Sequence, residues 1–110
     1  MSNGVLGKAM SVANNPVTVY TIPNEAEFAT ITIHCLNMGT GNATVKVALT
    51  TSPSAGPADY IEHLAVIPAN GGILERNCIL AGPGEKVIIE ADNANVAIRI
   101  SGLVKIVPVV

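Results

Sequence analysis

In FATITIHCLN, Phe28 to Asn37, apolar and polar side chains alternate: Ile31, Ile33 and Cys35 fall on one side of an extended chain, Thr30, Thr32 and His34 on the other. A period of two marks a strand with one buried face, because successive side chains of an extended backbone point in opposite directions. A chain built from such segments must bury one face of each, so it folds as layered or closed sheets.

The rest of the sequence repeats the pattern in short Val/Ile/Thr runs cut by Gly, Pro and Asn. PVTVYTIP alternates Val17 and Val19 with Thr18 and Tyr20. After MGTGN, ATVKVALT places Val45, Val47 and Leu49 inward and Thr44, Lys46 and Ala48 outward, and reads with FATITIHCLN as a two-stranded antiparallel meander. TSPSAGPA is a loop, and DYIEHLAVIP carries apolar groups on both faces. In ANGG, Asn70-Gly71 suits positive φ. ILERNCIL is a strand that Arg76-Asn77 interrupts with a bulge. EKVIIEA points Val87, Ile89 and Ala91 inward, and beyond the DNAN turn VAIRISG does the same with Val96, Ile98 and Ile100. LVKIVPVV either extends that strand or forms a separate edge. The expectation is an all-β chain, an antiparallel β-sandwich of seven or eight strands. MSNGVLGKAM has no helix cap and no amphipathic length, and holds at most a helical turn. Residues 1–15 are set apart as an N-terminal arm and residues 16–110 as the β-sandwich domain.

Composition narrows the function classes. The chain has 110 residues, enough for one domain with a modest core, and domains this small gain from packing against copies or partners. Charged residues are 13% of the chain against about 25% in typical soluble domains, while hydrophobic residues reach 49%. A weakly charged surface suits life in an assembly. The 6 Lys plus Arg are scattered, the net charge is −2, and aromatic residues are 3%, so neither a basic track for phosphates nor a stacking platform is present. No apolar run approaches the length of a membrane-spanning helix. The expectations are no direct nucleic-acid partner and no membrane.

Candidate chemistry is thin. Asp59, Glu62 and His63 cluster in sequence, but neighbouring strand residues point apart and the paired spacing of a metal site is missing, so no metal and no cofactor is expected. Cys35 and Cys78 read as small buried hydrophobes, and His34 as an exposed or interface side chain. AGPGE lacks the Lys-Ser/Thr of a phosphate loop. No catalytic residue is assigned, and the chain is expected not to be an enzyme. Tyr60, Glu62 and His63 are taken as a possible interface; if Glu62 meets a positive group across it, Glu62→Gln should weaken oligomers at low salt.

The succession FATITIHCLN, ATVKVALT, PADYIEH, PANGGILER, AGPGEKVIIEAD and VAIRISG resembles a family of small all-β virion structural proteins of tailed bacteriophages, including cyanophages. The resemblance covers Pro16 to Ile106 and is sharpest at Asp59-Tyr60-Ile61-Glu62 and Pro68-Ala69-Asn70-Gly71-Gly72. It implies an immunoglobulin-like or jelly-roll sandwich with no catalytic residues, and places Tyr60 and Glu62 at a strand start near an interface. It implies a capsid decoration or cement protein in the virion, assembled in the host cytoplasm as a homo-oligomer, with a trimer favoured, against the major capsid protein or other virion proteins. A tail, neck or fibre component is the alternative, and a ligand- or glycan-binding module is a second. By the same analogy the arm of residues 1–15 reaches onto the capsid.

Overall fold

The computed structural model describes residues 2–106, with side chains from Gly4 onward. It contains eight strands: β1 Ser2–Met10, β2 Pro16–Thr21, β3 Ala26–Asn37, β4 Ala43–Thr50, β5 Tyr60–Ile67, β6 Gly72–Ala81, β7 Lys86–Ala91 and β8 Val96–Ile106. Between β4 and β5 lies a three-residue 3-10 turn, Pro57–Asp59. The strands form two four-stranded antiparallel sheets ordered β1-β8-β3-β6 and β2-β7-β4-β5.

The pairing has a simple logic. β1 pairs with β8, β2 with β7, β3 with β6 and β4 with β5. The chain is one long hairpin whose tip is the β4–β5 loop, wrapped so that the β3–β8 and β4–β7 contacts complete two facing sheets. That order is the jelly roll, and it excludes the immunoglobulin arrangement, in which several consecutive strands pair within a sheet. Among the described residues the only consecutive strands that pair are β4 and β5.

Inner faces follow the alternation. Ile31, Ile33 and Cys35 from β3, Val45 and Val47 from β4, Val87 and Ile89 from β7, and Ile98 and Ile100 from β8 are buried in one core. Fully burying such side chains stabilises by about 1.5–3 kcal/mol each. Ala48 and Ile88 face the outer side of the second sheet yet are buried at 1% and 6% exposure. Together with Pro53, Ser54 and Ala55 of the 51–57 loop they line a 210 Å³ recess. The expectation that Ala48 is exposed fails because this loop covers it.

Two further readings change, and one alternative is decided. β3 and β4 are not a meander, since they lie in different sheets and MGTGN is a crossover. Ser2–Met10 is neither a helical turn nor an arm: it is an edge strand in register with β8 from Ser2↔Val104 to Met10↔Ala97. Removing residues 2–15 therefore takes a strand out of a sheet. Leu103–Ile106 continues β8, and the remainder of LVKIVPVV lies outside the described residues.

Candidate interaction surface

β5 and β6 are the free edges of the two sheets on the same side of the sandwich. Both are bulged at mid-strand. In β5 the register passes from Val45↔Ala65 to Val47↔Glu62, so His63 and Leu64 oppose one residue of β4. In β6 it passes from Ile31↔Ile79 to Ile33↔Arg76, so Asn77 and Cys78 oppose one residue of β3. The second residue of each bulge is left-handed: Leu64 has φ 57° and Cys78 φ 58°. Such a conformation costs an L-residue about 1–2 kcal/mol. Bulges of this kind blunt an edge against further strand pairing.

The residues opposite the core complete that protection. Glu62 is in register with buried Val47, and Arg76 with buried Ile33, so both point toward the gap between the sheets. There the Arg76 Nε donates to Glu62 Oε1, and Arg76 Nη1 donates to the Glu75 carbonyl at 2.9 Å. Within the chain, the positive group that Glu62 meets is Arg76. The pair closes the open mouth of the sandwich with charges where apolar side chains would invite a further layer.

Tyr60 and His63 stack edge-on, with ring centroids 5.3 Å apart at 72°. A second register shift, from Val47↔Glu62 to Ala48↔Tyr60, leaves Ile61 unpaired and brings these residues, three apart, to one side. Asp59 serves the turn before them: its Oδ2 accepts the Gly56 N–H at 2.7 Å while its own N–H donates to the Gly56 carbonyl. Glu62 lies in the interstrand pair, Tyr60 and His63 in the ring pair, and Asp59 in the turn. Among the described residues no three His, Cys, Asp or Glu side chains are grouped to hold a metal ion. No helix there is long and apolar enough to cross a membrane.

The two edge strands β5 and β6 carry exposed apolar side chains. Of the large exposed hydrophobic residues, Ile61, Leu64 and Val66 are on β5, and Ile73 and Leu80 on β6, the last at 71% exposure. Register places Ile73 and Leu80 on the outer face of the first sheet and Val66 on the outer face of the second, so with backbone pairing blunted by bulges these edges are suited to side-chain packing rather than to strand addition.

The two thiols divide. Cys35 is buried, and burial pushes its pKa up to about 11. Cys78, expected inside, is exposed because the bulge turns it outward. At pH 8 about one Cys35 thiol in a thousand is ionised. A thiol reagent should therefore titrate one cysteine rapidly in the native protein, and Cys78→Ser should remove that phase. Fast modification of two thiols would contradict the burial of Cys35.

The buried amide of Asn37 carries no pattern in the sequence beyond its place at the end of an alternating run. Its side-chain N–H groups donate to the carbonyls of Gly41 at 2.9 Å and Ile67 at 3.1 Å, and its Oδ1 accepts the Gly39 N–H at 2.9 Å. Its backbone carbonyl accepts Gly71 N–H at 2.8 Å. One residue thus ties the β3–β4 crossover to the β5–β6 turn, where Asn70 and Gly71 have φ 60° and 97°, and so sets where β5 and β6 meet. No family model, no curated protein and no solved structure matches the chain.

Proposed function

We propose that the chain is a structural subunit of a bacteriophage virion, a decoration or cement protein of the head lattice that works by packing and not by catalysis. The observation that carries this reading is the β5–β6 side: exposed apolar side chains concentrated on two edge strands whose bulges and inward charges prevent uncontrolled strand pairing. A protein built to dock by its side chains, without polymerising through its edges, has this combination. The jelly roll supplies a rigid block, and the sequence resemblance supplies the virion setting. The subunit forms a homo-oligomer, with a trimer favoured, that contacts the major capsid protein. Tyr60 and His63 lie at the rim of the contact, and the Glu62–Arg76 pair preorganises the edge.

The test is a double substitution. Ile73 and Leu80 are 57% and 71% exposed, so Ile73→Glu with Leu80→Glu should change protomer stability by less than about 1 kcal/mol. By sedimentation, the parent should be oligomeric at micromolar concentration and the variant monomeric, and the variant should lose binding to capsids lacking the protein. A monomeric parent, or a variant that assembles like the parent, overturns the reading. Electron cryomicroscopy of virions then locates the density. Positions at local three-fold points of the head support decoration, whereas density confined to neck, baseplate or fibre makes the chain a tail component.

A further inference from the structure

The outer face of the first sheet carries a second feature, independent of the assembly reading. Cross-strand register aligns four side chains in one row: Lys8 on β1 opposite Arg99 on β8, Arg99 opposite His34 on β3, and His34 opposite Glu75 on β6. All four line a shallow concavity of 650 Å³, a size in the range of small-molecule sites.

The charges of this row are unusual within the molecule. Lys46 pairs with Glu90 at 3.9 Å, Lys105 with Glu27 at 3.4 Å and Arg76 with Glu62, while Lys86 donates to the Thr51 carbonyl at 3.2 Å. Among the described residues Lys8 and Arg99 make neither an ion pair nor a side-chain hydrogen bond, and they are the two cations set directly opposite one another. Strand spacing holds their stems about 5 Å apart, and like charges in directly opposed positions are destabilising. Glu75 lies two strands from Arg99, about 10 Å away with His34 between, and leaves the Lys8–Arg99 end of the row positive. A sheet that pairs its other cations and opposes these two is arranged to receive an anion there.

The neighbouring rows define the rest of the ligand. On one side Thr32 on β3 stands opposite Ser101 on β8, offering two hydroxyls. On the other Met10 on β1 stands opposite Ala97, and Ala97 opposite Leu36. Outward rows on one strand are about 7 Å apart, the breadth of a sugar ring. We infer that the outer face of the β1-β8-β3-β6 sheet binds a hydroxylated carboxylic acid the size of one sugar ring, of the uronic-acid class. Its carboxylate sits between the Lys8 ammonium and the Arg99 guanidinium, its hydroxyls reach Thr32, Ser101 and the His34 imidazole, and its less polar edge lies over Leu36 and Met10.

Amide chemical shifts of the full-length protein, titrated with D-glucuronate and with D-glucose, provide the test, since the two sugars differ at the carboxylate carbon. Glucuronate should give saturable shifts centred on Lys8, Thr32, Arg99 and Ser101, and glucose none. Lys8→Gln and Arg99→Gln should each weaken glucuronate binding roughly tenfold, while Lys86→Gln, outside the concavity, leaves it unchanged. The same two variants should raise the melting temperature of the free protein by roughly 1–5 °C, because each relieves a like-charge contact. Weaker binding in a variant more stable than the parent separates loss of the site from loss of the fold. No saturable shift with glucuronate, equal shifts with glucose, or tighter binding of inorganic phosphate at the same residues would each overturn the assignment.

Discussion

Asn37→Ala should lower the unfolding free energy by about 3 kcal/mol, read from the urea midpoint at unchanged slope. The side chain is fully buried and satisfied on every side by Gly39, Gly41 and Ile67. Alanine leaves two carbonyls and one N–H without that partner, each costing about 1–3 kcal/mol where water does not enter. It also unfastens the β3–β4 crossover from the β5–β6 turn, so the exposed apolar edge should lose its fixed position along with stability. Asn42 is the control. Its Oδ1 accepts the Ala69 N–H at 3.1 Å between the same two segments, but at an exposed site. Asn42→Ala should cost below about 1 kcal/mol, since water replaces the lost bond. Equal effects at the two positions would mean that the buried amide is not what joins the loops.

Gly102→Ala should cost at least about 3 kcal/mol and leave little soluble protein. Gly102 has φ 145°, a conformation L side chains rarely adopt, and an added Cβ would sit 2.1 Å from the Thr30 carbonyl oxygen and 2.9 Å from the Ile31 Cα. Both neighbours are backbone of central strand β3, so no side chain can turn aside to make room. Gly102 also pairs with Gly4 across β8 and β1, which places the close approach where the N-terminal strand joins the sheet. Gly41 offers the comparison: nothing lies within 4 Å of its added Cβ. Gly41→Ala should stay within about 0.5 kcal/mol of the parent by thermal melting. A well-folded Gly102→Ala protein with parental stability would show that β8 and β3 can separate without cost.

The proposed contact and the proposed acid site share the outer face of the first sheet, where Ile73 stands opposite Leu36 and Leu80 opposite Thr30. The apolar side chains of β5 and β6 lie along one margin of the sandwich, and the Lys8–Arg99 end of the cationic row lies toward β1 at the opposite margin of the first sheet. A subunit anchored by β5 and β6 thus leaves the Lys8–Arg99 end open to solvent. Leu80→Glu, opposite Thr30 and outside the concavity, should leave glucuronate binding intact, and substitutions at Lys8 and Arg99 should leave assembly intact.

Much of the secondary structure was legible because its signals are local. Alternation placed Ile31, Ile33 and Cys35, then Val87, Ile89 and Ala91, then Val96, Ile98 and Ile100 on inner faces, and all of these are buried. Asn70-Gly71 announced its left-handed turn, and the break at Arg76-Asn77 announced the bulge in β6. Of the candidate contact, Tyr60, Glu62 and His63 were visible as residues but not as an arrangement. Alternation leaves the inward face of DYIEHLAVIP open, and only the partner strand shows that Glu62 faces inward to meet Arg76.

What the sequence by itself determined is seven of the eight strands, which face of most of them is apolar, and where the chain reverses. Period and turn chemistry act within a few residues, so they survive without knowledge of the fold. Only the tertiary structure decided which sheet each strand joins, because a turn reverses the chain without choosing its next neighbour, and the jelly roll sends nearly every reversal across to the opposite sheet. The same holds for Ser2–Met10, whose glycines and lysine give little strand preference of their own; it is a strand because β8 offers an unpaired edge along its length. Lys8 and Arg99, from opposite ends of the chain, become neighbours for that reason alone: register is set by pairing over the whole fold, and no local pattern encodes it.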